Sequence, residues 1–204
     1  MAAAELRFFL MVERHLHTAP SACLRCAAAG PTCCTVAAGN EECRFPISDM
    51  EQERIRHHLD ARGPEPTKGE QGPFATAPNS HAFIAGMKIL FPGEQQRIKE
   101  LFPENGTHHS LAVTPSGDCA LLSDSGCTLP RGIRPLYCLL FPFWIRKERL
   151  ALFTPPTCIA VCETRTVHRC MESMHMTEQD IRALYSHLRH AWGLSPLDVD
   201  AETL

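Results

Sequence analysis

The feature that most constrains this chain is cysteine, eleven in 204 residues. Thiols at such density serve disulfides, metal or redox chemistry, and the compartment decides among them. The N-terminal stretch MAAAELRFFLMVERHLH carries one apolar run, Phe8 to Val12, flanked by Glu5, Arg7, Glu13 and Arg14. It lacks the basic n-region, the longer apolar run and the small-residue cleavage site of a secretory signal. A reducing, cytoplasmic location is therefore expected. An odd number of cysteines also fits a closed disulfide framework poorly, so metal or iron–sulfur binding is favoured over a disulfide scaffold.

Spacing sharpens this. The first group is Cys23-Leu-Arg-Cys26 and then, after six residues, Cys33-Cys34. Two cysteines with two residues between them can turn both sulfurs inward on a tight knuckle, an arrangement common for zinc and iron. On an extended chain neighbouring side chains point to opposite faces, so the adjacent pair is expected to serve different metals, or to include one spectator. The second group is Cys119, Cys127, Cys138 and Cys158, set near turns and strand ends. Four thiolates around one Zn²⁺ carry a net charge of −2. Arg25, Arg131 and Arg134 lie near enough in sequence to offset it.

These residues form a longer pattern. Cys23-x-x-Cys26…Cys33-Cys34 is followed by Gly126-Cys127-x-Leu129-Pro130 and by Arg134-Pro135-x-x-Cys138-x-x-Phe141-Pro142. The pattern resembles the cysteine-cluster family with a CxxCxxCC opening, described as zinc- or iron-chelating, which includes relatives of flagellin lysine N-methylase. The resemblance runs from about Cys23 to Cys158. It implies eight metal-associated cysteines, Cys23, Cys26, Cys33, Cys34, Cys119, Cys127, Cys138 and Cys158, with Arg134 beside the cofactor. The cofactor it implies is an iron–sulfur cluster, such as a 4Fe-4S centre, or zinc. Here six residues, AAAGPT, stand between Cys26 and Cys33 instead of the family's two. Cys43, Cys162 and Cys170 fall outside the pattern and read as free or buried structural thiols.

Other classes find little support. Lys and Arg number 20 against 23 Asp and Glu, a formal charge of −3, too little positive charge for a general nucleic-acid binder. No apolar run approaches the roughly 20 residues needed to span a bilayer. Glycine-rich nucleotide cradles, a G-x-S-x-G elbow, a haem-attachment C-x-x-C-H and a second C-x-x-C for a zinc ribbon are all missing. The histidine pairs, His108/His109 among them, read as solvated surface.

Local signals suggest a helix over 3–17, a cysteine-bearing loop over 20–46, and a Ser48–Glu51 capping box opening a helix to about Ala61. A Pro/Gly-rich loop over 62–79 should precede helices over 81–90, capped by Asn79, and from Pro92 to Leu101. Strands are expected at 111–113 and 119–122, a hairpin at 143–153, and a last helix capped by Thr177 and Asp180. The fold class is helix-rich α+β, one domain over 1–204, with the cluster-bearing region at 18–160 and flanking helices at 1–17 and 172–193.

The leading function is a cytosolic cysteine-cluster metalloprotein holding an iron–sulfur cluster or zinc. Iron–sulfur is slightly preferred, because the adjacent pair suits a multi-iron centre. One centre shared by both cysteine groups is expected. The alternatives are a methyltransferase-like enzyme resembling flagellin lysine N-methylase, or a zinc-stabilised interaction module.

Overall fold

The structure, a computed structural model, describes residues 21–30, 32–36, 44–62 and 72–195. The helix expected over 3–17 lies outside them. Residues SACLRCAAA form helix α1 (Ser21–Ala29), correcting the expected loop over 20–46. Alanine and leucine favour helix. Gly30, at φ +39°, carries the chain out of it and donates its N–H to the Cys26 carbonyl at 3.0 Å.

The capping box forms as expected and opens α2 (Asp49–Arg62). Glu51 Oε2 accepts from the Ser48 N–H at 2.9 Å and from its hydroxyl at 2.8 Å, and the Glu51 N–H returns a longer bond to Ser48 Oγ at 3.4 Å. The Pro/Gly-rich segment contains a strand that the sequence reading missed. β1 (Phe74–Pro78) pairs antiparallel with β2 (Thr107–Leu111), from Phe74 opposite Leu111 to Pro78 opposite Thr107. Pro78 sits at the strand's end, where a missing donor is tolerated.

Helix α3 (His81–Leu90) is capped by Ser80, which accepts from the Phe83 N–H, and not by Asn79. A turn at Pro92 and Gly93 (φ +92°) delays α4 to Gln95–Leu101. The strand candidates at 111–113 and 119–122 reduce to a single bridge between Val113 and Cys119, followed by the short hairpin β3 (Leu122–Ser123) and β4 (Gly126–Cys127). A 3-10 turn (Arg131–Ile133) leads through Pro135 into α5 (Leu136–Leu140).

The second hairpin, β5 (Phe143–Arg146) with β6 (Arg149–Leu152), turns at Lys147 and Glu148, both at positive φ. Then follow α6 (Ile159–Thr164), α7 (Val167–Met174) and α8 (Glu178–Ala191). Thr177 and Asp180 complete the capping box of α8, and Gly193 (φ +60°) follows it. The architecture is helix-rich α+β, as expected. No helix among the described residues is long and apolar enough to cross a membrane.

Two hydrophobic clusters organise these elements. The larger joins α3, α4, α5, β5 and α8 around Phe91, Leu140, Phe143, Trp144 and Tyr185. The Trp144 ring meets Tyr185 edge-on at 4.9 Å and donates its Nε1–H to the Leu90 carbonyl at 3.0 Å, which satisfies the one polar atom that its burial would strand. The smaller cluster is Ile55, Leu121 and Leu129, with Cys119 and Cys127 packed against it.

Candidate metal centre

Cys33 and Cys34 are the central residues of a β-turn, closed by the Thr35 N–H donating to the Thr32 carbonyl at 3.0 Å. This corrects the extended conformation assumed from sequence. The turn sets the two thiols near enough that each shifts the ionisation of the other. Backbone pairing fixes the turn on the 114–119 segment. Val36 N–H donates to the Gly117 carbonyl at 2.8 Å and Cys119 N–H to the Cys34 carbonyl at 2.8 Å. The Thr35 hydroxyl donates to Asp118 Oδ1 at 2.7 Å. Gly117, at φ +87°, is required there: a β-carbon would stand 2.1 Å from the Val36 carbonyl oxygen.

Cys127 reaches the same region on β4, and Cys138 on α5. Glu51 ties that helix to α2, because its Oε1 accepts the Leu136 N–H at 2.8 Å. Cys138 feels the charges of Cys34, Cys119, Cys127 and Glu51. It is accessible to solvent, yet protein crowds it enough for burial to raise its thiol well above the ordinary value. Burial likewise pushes Cys119 up to about 12 and raises Cys127.

Cys34 is the exception. Interaction with the neighbouring Cys33 thiol, with the Thr32 hydroxyl and the Arg134 charge, holds it below the ordinary thiol value against the effect of burial; the same interaction and burial raise Cys33. Arg134 is fixed in place by its Nε–H, which donates to the Leu129 carbonyl at 3.0 Å, and by its Nη2, which donates to the Cys127 carbonyl at 3.4 Å; its charge favours the Cys127 thiolate.

Cys23 and Cys26 lie three residues apart on α1, hence on one helix face, and not on a knuckle. That face packs on α6, whose N-cap residue is Cys158. Burial raises Cys23, which feels Cys158 and Cys26 among the thiols and Arg131 as its strongest opposing charge. Arg131 is 8% exposed, and its Nε–H has no hydrogen-bond partner among the described residues. A guanidinium donor buried beside a thiol without an acceptor is costly unless a negative charge arrives there.

Cys33 lies within electrostatic reach of both Cys138 and Cys23. Gly126 of β4 faces Ala27 of α1, with 3.7 Å between Ala27 Cβ and the place a glycine β-carbon would take. The two cysteine groups are therefore neighbours.

All eight sequence-selected cysteines are free thiols, carried on elements that neighbour one another. Two of their sulfurs make other contacts: Cys26 donates to the Thr157 carbonyl at 3.7 Å and Cys23 to Met174 Sδ at 3.9 Å. Among the described residues no three His, Cys, Asp or Glu side chains stand as a ready-made metal-holding group. Metal would require these soft contacts to yield by side-chain rotation.

Arg25 does not face the thiols. It forms an exposed bidentate pair with Glu163 at 2.7 Å. Cys162 and Cys170, read as bystanders, both interact with Cys158; Cys170 is fully buried and Cys162 exposed. Cys43 lies outside the described residues. Comparison with protein-family models, curated proteins and solved structures finds no significant match to this chain.

Proposed function

We propose that this chain is a cysteine-cluster metalloprotein that holds an iron–sulfur cluster or zinc through Cys23, Cys26, Cys33, Cys34, Cys119, Cys127, Cys138 and Cys158. What supports the reading is that thiols from α1, the 32–35 turn, β4, α5 and the N-cap of α6 lie within electrostatic reach of one another and of Arg131 and Arg134. One of those arginines is buried with a donor unsatisfied. Thiolates bound to metal supply the negative charge that such a donor lacks. An apolar core has no use for it. The reading includes a reducing, cytoplasmic location, because thiolate ligands must stay reduced, and kinship with the cysteine-cluster family that the motifs resemble.

Iron–sulfur is preferred over zinc, since the adjacent pair Cys33-Cys34 suits a polynuclear centre better than a single tetrahedral ion. The test is visible absorbance of full-length protein purified without oxygen. A broad thiolate-to-iron absorption that bleaches on reduction supports a cluster. A colourless protein carrying stoichiometric zinc supports the other metal. A colourless, metal-free protein refutes the proposal.

A further inference from the structure

We infer that Cys33 and Cys34 form a thiol–disulfide exchange site, whose adjacent thiols close on each other when a small disulfide such as oxidised glutathione takes their electrons. Bound metal would occupy both sulfurs, so the reaction belongs to the metal-free chain and does not depend on the metal reading.

Neighbouring side chains on an extended strand point to opposite faces, which keeps their sulfurs apart. A β-turn removes that obstacle, and Cys33 and Cys34 are its central residues. The turn is held by its own backbone and by the segment beneath it. Thr35 N–H donates to the Thr32 carbonyl at 3.0 Å and Cys34 N–H to the Thr32 hydroxyl at 3.0 Å. The Cys34 carbonyl accepts from the Cys119 N–H at 2.8 Å. None of these bonds uses either sulfur, so the turn stays in place while both side chains rotate.

A reagent can reach the pair, since Cys33 is exposed and Cys34 partly so. The CxxC pair on α1 is less open: Cys26 is buried, and the two sulfurs are directed to Met174 Sδ and the Thr157 carbonyl. Exchange therefore begins at Cys33. Its thiolate attacks one sulfur of the small disulfide, a mixed disulfide forms, and the first small thiolate leaves. The Cys34 thiolate then attacks the Cys33 sulfur and expels the second. The two protein thiols are oxidised to one disulfide, and the small disulfide is reduced to two thiols that take up the released protons. Adjacent α-carbons stand about 3.8 Å apart across a trans peptide, closer than the roughly 4.4–6.8 Å of ordinary disulfides. The ring is therefore strained, and excess small thiol reopens it.

Full-length protein isolated under argon tests this when it is treated with excess oxidised glutathione, with and without a metal chelator, then alkylated, digested and sequenced by mass spectrometry. With chelator, the peptide carrying Cys33 and Cys34 should be lighter by two hydrogens and alkylated at neither residue, and dithiothreitol should restore both thiols. Concentrated urea, which dissolves the turn, should slow closure by about 10-fold or more. Cys34→Ser should leave glutathione on Cys33, with no neighbouring thiol to displace it. Wild-type protein that keeps glutathione on Cys33, is alkylated at both residues, or bonds either one to a different cysteine overturns the inference. Closure as fast in urea as in native buffer overturns it too. Closure that proceeds equally without chelator upholds it, and counts instead against metal at this pair.

Discussion

Replacing Glu51 by alanine removes one carboxylate on which three donors converge. Its side chain is 3% exposed. Oε2 accepts from the N–H and hydroxyl of Ser48, at 2.9 and 2.8 Å, and Oε1 from the Leu136 N–H at 2.8 Å. The first two bonds start α2; the third binds α2 to the first turn of α5, which carries Cys138. Hydrogen bonds to a charged acceptor contribute roughly 1.5–3 kcal/mol each, but these share one group and water can enter the gap, so we expect a loss of about 4 kcal/mol. For a chain of this length that lowers the melting temperature by roughly 8–16 °C. Glu51→Gln keeps one carbonyl acceptor and should cost about half as much. Circular-dichroism melts of the metal-free variants, with urea titration for the free energy, measure both. A Glu51→Ala melt within about 2 °C of wild type, against that expected drop, would refute the claim that this carboxylate joins α2 to the Cys138 helix.

Further outcomes follow from other contacts. Gly117→Ala forces a β-carbon to 2.1 Å from the Val36 carbonyl at φ +87°; we expect about 3 kcal/mol of local strain, read as faster amide exchange over 32–36 with α8 unchanged. Glu94→Ala breaks the ion pair with Arg189, whose side chain is 9% exposed against 17% for its partner, and should destabilise the whole fold by about 3–5 kcal/mol in urea. His108, 6% exposed and stacked on Phe83 at 3.7 Å, is held down to about 4 by burial, aided by the Arg44 charge. The stability it contributes is complete above its unfolded value near 6.5 and is lost as pH falls toward 4, by about 2 kcal/mol after allowance for solvent screening. An NMR titration giving His108 an ordinary value near 6.5 would contradict this.

Much of the frame could be read from short signals. The Ser48–Glu51 and Thr177–Asp180 capping boxes and the 143–152 hairpin form where the residues place them, because each rests on bonds closed within a few positions. Helix α1 was hidden for a physical reason. Its inward stripe is buried Ala22 and Cys26 with half-buried Cys23, small residues and thiols in which no apolar periodicity registers. β1 was hidden by its partner, because FATAP becomes a strand only against β2, far along the chain.

His108 was legible in hindsight. In THHSL a two-residue period puts His108 and Ser110 on the buried face and His109 outside. Asn79 settles its proton: the Nδ2 amide donates to the Pro103 carbonyl at 2.9 Å, leaving Oδ1 to accept from His108 Nδ1–H at 2.9 Å. At the candidate centre the cysteine spacing marked which residues to follow, but not the turn at Cys33-Cys34 or the burial of Arg131. Both depend on contacts with residues remote in sequence.

The central claim is that these thiols are metal ligands, and metal content tests it most directly. Iron, zinc and acid-labile sulfide should be counted per chain on full-length protein purified without oxygen, alongside the number of thiols that react with a disulfide reagent before and after denaturation. The account predicts stoichiometric metal and the eight ligand cysteines protected until the protein is denatured. Protein that is folded and free of iron and zinc, with Cys33 and Cys138 reacting as readily as exposed Cys162, would contradict it.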